Sequence, residues 1–468
     1  MDKRARIPVS LPHANPLPSY WHTPPSPLAS HRSTPSLPTS ATTVILGSGI
    51  TGAAVAYRLL ENEKQKNVVM LEARETCSGA TGRNGGHTKA ASYRSFPDHV
   101  SSLGLDEAKK TARLELENIL AVHAFARDNG IDCDLAACDT IDVIYDEKQW
   151  VQAGEAVAAM RAAMPGEKVS EYEFYTPEEV RTKFWVHDGV LDGKEEKVYG
   201  GVGYFAGSLS AYRFTLGVLG LCLDKGLNLQ TGTPATGLER DEVSGRWTVK
   251  TPRGDIAADR VVLATNGYSA ALVPEFQGVV VPMRGQITAH RPGRNLPDGG
   301  SLPTTYSFIY DRGYEYMVPR PKGSAFAGDI VMGGGLVRAP DDGLEEFGST
   351  DDATLNRTVS EYLKETTARY FGPDWGQDDP AGRVRAEWTG IMGFSPDGFP
   401  FVGEMPGHPG LWVSCSFQGH GMVLCWQSAR ALVEMIQGRD GERLDVWFPS
   451  AFRVSEERLA KRFQGRLQ

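Results

Sequence analysis

The stretch from residue 43 to residue 72 constrains this chain more than any other. Thr43-Val44-Ile45-Leu46 is a short apolar run of the kind that forms a buried parallel strand. It leads straight into Gly47-x-Gly49-x-x-Gly52, and residues 53–61 have helical composition. Asn67-Val68-Val69-Met70-Leu71-Glu72 then reads as a second strand. The unit is strand, turn, helix, strand. Gly47 makes the tight turn, Gly49 lets backbone approach a pyrophosphate, and Gly52 lets helix and strand pack closely. The helix start at Ile50 and Thr51 offers free N–H groups and a positive dipole end to an anion. Glu72 follows Gly52 by 20 residues, the spacing of an acid that binds an adenosine ribose. Ala73 and Arg74 continue the same strand end. A glycine pattern alone is a weak signal. Here the strand before it, the helix after it and the acid set it apart from a nucleotide-free unit of the same shape. An acid at 72 argues against NADP.

The next segment points to a larger ligand. Cys77-Ser78-Gly79-Ala80-Thr81-Gly82-Arg83-Asn84-Gly85-Gly86-His87 is dense in small residues, which let a loop lie against a large flat molecule. A nicotinamide dehydrogenase has no need of such a loop here, although a glycine-rich surface loop has the same composition. Near the other end, Leu411-Trp412-Val413-Ser414-Cys415-Ser416 reads as a strand. It runs through Gly419-His420-Gly421 into a helix that starts near Met422, whose N–H groups converge on one point. His420 reads equally well as a hydrogen-bonded structural histidine or as a catalytic group.

On these residues the chain resembles the D-amino-acid oxidase superfamily of FAD-dependent oxidoreductases. That group includes sarcosine, glycine, D-amino-acid and gamma-glutamylputrescine oxidases. The run from Ser78 to Gly86 is most similar to the gamma-glutamylputrescine oxidase and sarcosine oxidase-like branch. Asp259-Arg260-Val261-Val262-Leu263-Ala264-Thr265-Asn266-Gly267-Tyr268 resembles the strand and turn that return to the FAD. Residues 389–403, with Pro396-Asp397-Gly398-Phe399-Pro400, resemble the segment beside the flavin ring, and residues 411–422 the last strand and helix start below it. The likeness spans about residues 42 to 440 and is loose over 105–200.

The resemblance implies an α/β fold. A Rossmann-like FAD-binding domain of the glutathione reductase/p-hydroxybenzoate hydroxylase type would carry an inserted substrate domain on a mixed, mostly antiparallel sheet. The FAD domain is expected to be discontinuous, over 41–104, 200–275 and 380–445. The substrate or cap domain takes 105–199 and 276–379, after an extended Pro/Ser-rich arm over 1–40 and before a tail over 446–468. Tyr20 and Trp21 are candidates to pin the arm to the body. Implied cofactor contacts are Gly47, Gly49, Ile50, Thr51, Gly52, Glu72, Ala73 and Arg74. To these are added Ser78, Gly79, Thr81, Gly82, Arg83, Asn84, Gly85 and Gly86. Thr265, Asn266, Gly267, Gly419, His420, Gly421 and Met422 complete the set.

The implied reaction removes hydride from the carbon beside a neutral amine and delivers it to flavin N5. The imine hydrolyses, and O2 reoxidises the flavin to give H2O2. His420 and Tyr316 are the candidate catalytic side chains. A dehydrogenase or monooxygenase with another acceptor, or a non-catalytic FAD-fold binding protein, are the alternatives. Residues 384–395 hold Trp388 and no cysteine, so the cysteine-linked flavin of monomeric sarcosine oxidases is excluded. His87 lies near the histidine that links flavin in other relatives, but FAD is expected to be held non-covalently. Residues 328–335 offer no counterpart of the flavin-side lysine of sarcosine oxidases, which leaves oxidase against dehydrogenase open. Tyr306, Tyr310, Tyr314 and Tyr316 sit in a strand-like section where alternate residues share a face. They could floor an amine pocket or simply pack the sheet. Arg284 and Arg338 could pair a substrate carboxylate or form ordinary ion pairs.

Composition narrows the remaining classes. At 468 residues the chain exceeds one simple core. A net charge of -9 gives no global attraction for nucleic acid. No apolar run reaches the length of a membrane span. Six cysteines without a Cys-x-x-Cys suggest a reducing compartment rather than a disulfide framework. No zinc, P-loop or hydrolase-elbow motif occurs. The start of the chain has no apolar secretory core, and its last residues are not a peroxisomal address. A cytoplasmic location is expected, with a mitochondrial one as the alternative. The expected partners are a small amine or amino-acid-like substrate and O2, with no nucleic acid and no membrane span.

Overall fold

The computed structural model describes residues 1–61 and 67–465. Two eight-stranded sheets organise it. In the first, Leu411–Cys415, Ile256–Leu263, Ser40–Leu46, Val68–Leu71 and Asn228–Gln230 run parallel in that spatial order. Phe401–Glu404 closes one edge antiparallel, and Trp247–Lys250 with Gly237–Arg240 forms an antiparallel flap on Ile256–Leu263. Both faces of this sheet are covered. Ile50–Leu60, Leu105–Asp128, Ala211–Asp224 and Gly421–Ile436 share an apolar core on one side. Val44, Leu46 and Val261 join a second core on the other. Burial on both faces is why these strands read as unbroken apolar runs.

The second sheet is mixed and mostly antiparallel. Its order is Val384–Phe394, Val281–His290, Ile330–Gly333, Tyr314–Pro319, Thr305–Ile309, Ala136–Ile144, Gly200–Ser208 and Glu173–Tyr175. The one parallel pair among them joins Thr305–Ile309 to Ala136–Ile144, with Ser307 opposite Asp142. The α/β class, with a Rossmann-like sheet and a mostly antiparallel second sheet, is therefore the architecture that the sequence implied.

Chain order and spatial order differ at three places. Residues 200–208 and 384–394, grouped by sequence with the FAD-binding segments, are strands of the second sheet. Residues 105–128, grouped with the cap, pack against the helices of the first sheet. The reason is non-local pairing: strand partners lie far apart in the chain, and local pattern does not name them. Residues 1–40 run along the body rather than away from it, and Tyr20 and Trp21 are each 6% exposed. Residues 466–468, part of the segment read for an address signal, lie outside the described residues.

Single elements follow local rules closely. Thr176 caps the helix Pro177–Phe184 through a capping box with Glu179. Asp146 caps Glu147–Ala163. In the helix Leu105–Asp128, Ile119 is 0% exposed and Leu120 is 37% exposed. Small residues, Ala108, Ala112 and Ala126, form much of its buried face and let it sit close to its neighbours. No helix among the described residues is long and apolar enough to cross a membrane.

Burial pushes the Glu115 carboxyl of this helix up to about 7, although a hydrogen bond from Ser92 opposes the shift. The folded state then holds a proton that the unfolded chain, at its ordinary carboxylate value, has released. Stability is fully present below the unfolded value and falls as pH rises toward 7. Glu115→Gln should remove that slope. The variant should melt higher than the parent at pH 8 and equally at pH 4, a difference of up to about 3 kcal/mol at the alkaline end.

Candidate active site

A cavity of about 460 Å³ lies between the two sheets. Its first end is built by the glycine turn. Gly47 has φ +103°, and a Cβ on it would lie 2.6 Å from the Ala264 carbonyl oxygen. A Cβ on Gly52 would lie 2.0 Å from the Gly47 carbonyl oxygen. That contact brings the N-terminus of Ile50–Leu60 onto the turn, with Gly49, Ile50 and Thr51 at the cavity wall. Glu72 lines the same end and is 9% exposed. Its Oε2 accepts from the Ser48 N–H at 3.1 Å and the Ser48 hydroxyl at 2.6 Å, and its Oε1 accepts from the Arg74 N–H at 3.0 Å. A carboxylate has about four acceptor sites, so one remains for a ribose hydroxyl. The Tyr268 hydroxyl, on the cavity wall, is buried with no hydrogen-bond partner among the described residues. A buried polar group in that condition fits a ligand-facing position.

The small-residue loop forms the adjoining wall. The Thr81 hydroxyl accepts from the Ile50 N–H at 3.1 Å, so the loop and the helix start are joined directly. Arg83 is 1% exposed. It donates to the carbonyl oxygens of Ser78 at 2.8 Å, Thr389 at 2.9 Å and Leu17 at 2.6 Å. Burial pulls its pKa down to about 10, against the nearby Asp352 carboxylate. Asn84 accepts from the Gly86 N–H at 2.8 Å. The Asn266 side chain accepts from the N–H groups of Ser416 at 3.0 Å and Phe417 at 3.2 Å, tying the returning turn to the last strand. His420 is the N-cap residue of Gly421–Ile436 and is exposed at the cavity rim beside Gly419 and Met422. Two helix N-termini thus meet one cavity.

Most of the sequence-derived cofactor residues line this space, including Ala73, Gly79, Gly85 and Thr265. Gly52, Ser78, Gly82, Gly86 and Gly267 stand behind it as supports. A Cβ on Gly82 would lie 2.0 Å from the Cys77 carbonyl oxygen, and one on Gly267 would lie 2.4 Å from that of Met392. Ser78 acts through its carbonyl, which accepts from both Arg74 and Arg83. His87 lines the cavity, and its Nε2 bonds the Thr305 hydroxyl at 2.7 Å.

The far end is bounded by the second sheet. Tyr314 and Tyr316 line it, whereas Tyr306 is buried in the sheet core and Tyr310 bonds Tyr370. The Tyr316 ring is wedged between Gly85 and Gly333, where a Cβ would come within 2.1 Å and 2.3 Å of it. Arg284 is held by Glu346 at 2.6 Å and Arg338 by Asp192 at 2.6 Å, so neither is an open cation. Sequence reasoning missed the groups that carry charge here. Lys89 lines the cavity and bonds Asp142 and Ser307. Asp142 is 0% exposed and also accepts from the hydroxyls of Tyr93 at 2.9 Å and Tyr204 at 3.0 Å. Burial pulls the Lys89 pKa down, and Asp142 opposes this. Arg94 stands exposed at the mouth with no carboxylate in ion-pair range among the described residues. The one sequence signal for this group was an acid, Asp142, in the middle of an apolar strand.

Fold and cavity together define a flavin-type dinucleotide-binding α/β protein. The family of FAD dependent oxidoreductases called DAO matches residues 42–435, and the chain belongs to it. A glycine oxidase of Pseudomonas aeruginosa is 28% identical over 194 residues, which cover 41% of this chain and 45% of that one. The chain thus spans about half the length of that relative. Gamma-glutamylputrescine oxidoreductase of Escherichia coli is 23% identical over 86% of this chain and 85% of its own. The crystal structure of glycine oxidase from Geobacillus kaustophilus superposes with a TM-score of 0.67 at 19% identity, over 89% of this chain and 99% of that one. FAD is the cofactor, and the open acceptor site on Glu72, the two helix starts and the Tyr268 hydroxyl fit it.

Glu72→Gln keeps the shape and removes the charge. A bond to a charged acceptor is worth about 1 kcal/mol more than one to a neutral acceptor. FAD binding to the apoprotein should therefore weaken by about 5- to 10-fold, read by quenching of FAD fluorescence.

Proposed function

We propose that the protein oxidises the C–N bond of an amine or amino-acid-like substrate, with O2 as the terminal oxidant and H2O2 as its product. The observation that supports this is the continuity of one cavity, from Glu72 and the glycine turn at one end to Lys89, Arg94, Tyr314 and Tyr316 at the other. A cofactor with an adenosine at the first end brings its redox ring toward the second. When bound, FAD supplies the acceptor for a hydride from the carbon beside nitrogen. Everything else is positioning. The Tyr314 and Tyr316 rings offer faces to an amine-bearing chain. Arg94 places positive charge where a substrate carboxylate would sit, beside the Lys89 ammonium, which Asp142 pairs. His420 at the rim and Tyr316 in the wall are the side chains proposed to touch the reacting groups. The names of the relatives, a glycine oxidase and a gamma-glutamylputrescine oxidoreductase, agree with this substrate class. The first sheet with its helices is proposed as the FAD-binding unit and the second as the substrate unit.

The test is an anaerobic titration of the holoenzyme with amines and amino acids, followed at the visible flavin peak. The reading expects bleaching by at least one such compound, then peroxide on admitting air. No bleaching by any of them sinks it, and bleaching without peroxide replaces O2 by another acceptor. Arg94→Gln should raise KM for carboxylate-bearing substrates by about 10-fold or more, since bonds to charged groups contribute about 1.5–3 kcal/mol. It should leave plain amines little affected.

A further inference from the structure

We infer that residues 11–22 form part of the cofactor site and clamp FAD in place by holding the small-residue loop. Leu11 and Pro12 line the cavity itself. The next residues bind the loop wall. The His13 carbonyl accepts from Arg74 Nη1 at 3.0 Å, and the Leu17 carbonyl from Arg83 Nη2 at 2.6 Å. The Ser19 hydroxyl donates to the Gly82 carbonyl at 2.7 Å, and Trp21 Nε1 donates to the Asn84 carbonyl at 2.5 Å. Four loop or strand-end residues expected at the cofactor, Arg74, Gly82, Arg83 and Asn84, thus each bond this one segment.

The segment is anchored on its other side to the second sheet. Tyr20 donates to Asp329 at 3.2 Å and stacks on Trp388 with ring centroids 5.8 Å apart. Trp388 in turn donates to the Arg83 carbonyl at 2.7 Å. The Leu17 N–H donates to the carbonyl of Asp352, whose carboxylate pairs with Arg74 at 2.9 Å. A loop built from small residues has much conformational freedom to lose. Here bonds from outside the loop fix its backbone, which reduces the ordering that FAD binding must impose. Prolines in the segment limit the segment's own freedom in the same way. Coupling of this kind is reciprocal: if the segment favours bound FAD, then bound FAD must order the segment.

The clamp depends on FAD binding alone and not on which substrate is oxidised, so its test is separate from the amine titration. Apoprotein of the full chain, of a chain lacking residues 1–22 and of Trp21→Phe is titrated with FAD. Trp21→Phe keeps a ring and removes one donor, and should weaken FAD binding by about 3- to 10-fold. It should also shrink the gap in melting temperature between holo and apo forms, which a merely structural role would leave unchanged. The shortened chain should bind FAD at least about 100-fold more weakly. Hydrogen exchange in residues 11–22 of the full chain should slow when FAD is added. A folded shortened chain that binds FAD within twofold of the parent overturns the inference. If that chain does not fold, an unchanged FAD affinity in Trp21→Phe, or exchange that ignores FAD, overturns it instead.

Discussion

The structure rests on one close approach, that of Gly52 to the Gly47 carbonyl. With 2.0 Å between an added Cβ and that oxygen, no side chain fits at position 52. This contact fixes where Ile50–Leu60 begins relative to Ser40–Leu46 and to the end of Val68–Leu71, where Glu72 projects. The helix start then faces the cavity, and Glu72 reaches back to Ser48. Thr81 accepts from Ile50, so the loop wall inherits its place from the same contact. The first end of the cavity is therefore a local consequence of a few neighbouring residues. The positive end of the helix dipole arrives at this place because the backbone has no alternative.

That locality explains what was legible in the sequence. The glycine turn, Glu72, the loop and the helix start read near Met422 each occupy a short stretch with fixed spacing, and residues of each line one cavity. Helix caps are local in the same way: Thr176 and Asp146 each accept from a backbone N–H three residues on. Leu116, Ile119, Leu120 and Phe125 have the spacing of an apolar stripe on Leu105–Asp128; Ile119 is 0% exposed and Leu116 and Phe125 pack against core residues, but Leu120 is 37% exposed. Which members of the stripe are buried was decided by the neighbouring elements and not by hydrophobicity alone.

The far end of the cavity is illegible for a different reason. Lys89 follows the loop, Asp142 lies in Ala136–Ile144 and Ser307 in Thr305–Ile309. They meet only because those two strands pair in parallel with Ser307 opposite Asp142. No spacing rule connects positions so far apart. The same holds for the assignment of 200–208 and 384–394 to the second sheet, which depends on partners elsewhere in the chain. Arg284 and Arg338 looked equally eligible as anion-binding groups, yet Glu346 and Asp192 neutralise them. Charge type alone was no guide to which cation the cavity leaves available.

Lys89 shows how a paired ammonium is kept at a cavity wall. A buried ammonium loses hydration, and that loss favours the neutral amine. Asp142 opposes it, but a buried carboxylate carries the same penalty and needs partners of its own. Tyr93 and Tyr204 supply two hydroxyl donors to its second oxygen. The tyrosines rather than solvent thus stabilise the acid that stabilises the lysine. Removing either hydroxyl would leave the carboxylate under-bonded, and the lysine would feel it without being touched. The Lys89–Asp142 pair at the far end of the cavity is in this sense a property of the second sheet's interior, just as the helix dipole at its first end is a property of the first sheet's turn. Arg83 joins the two, because its guanidinium bonds the loop at Ser78 and the edge strand of the second sheet at Thr389. One side chain thereby ties the loop wall of the cavity to the second sheet.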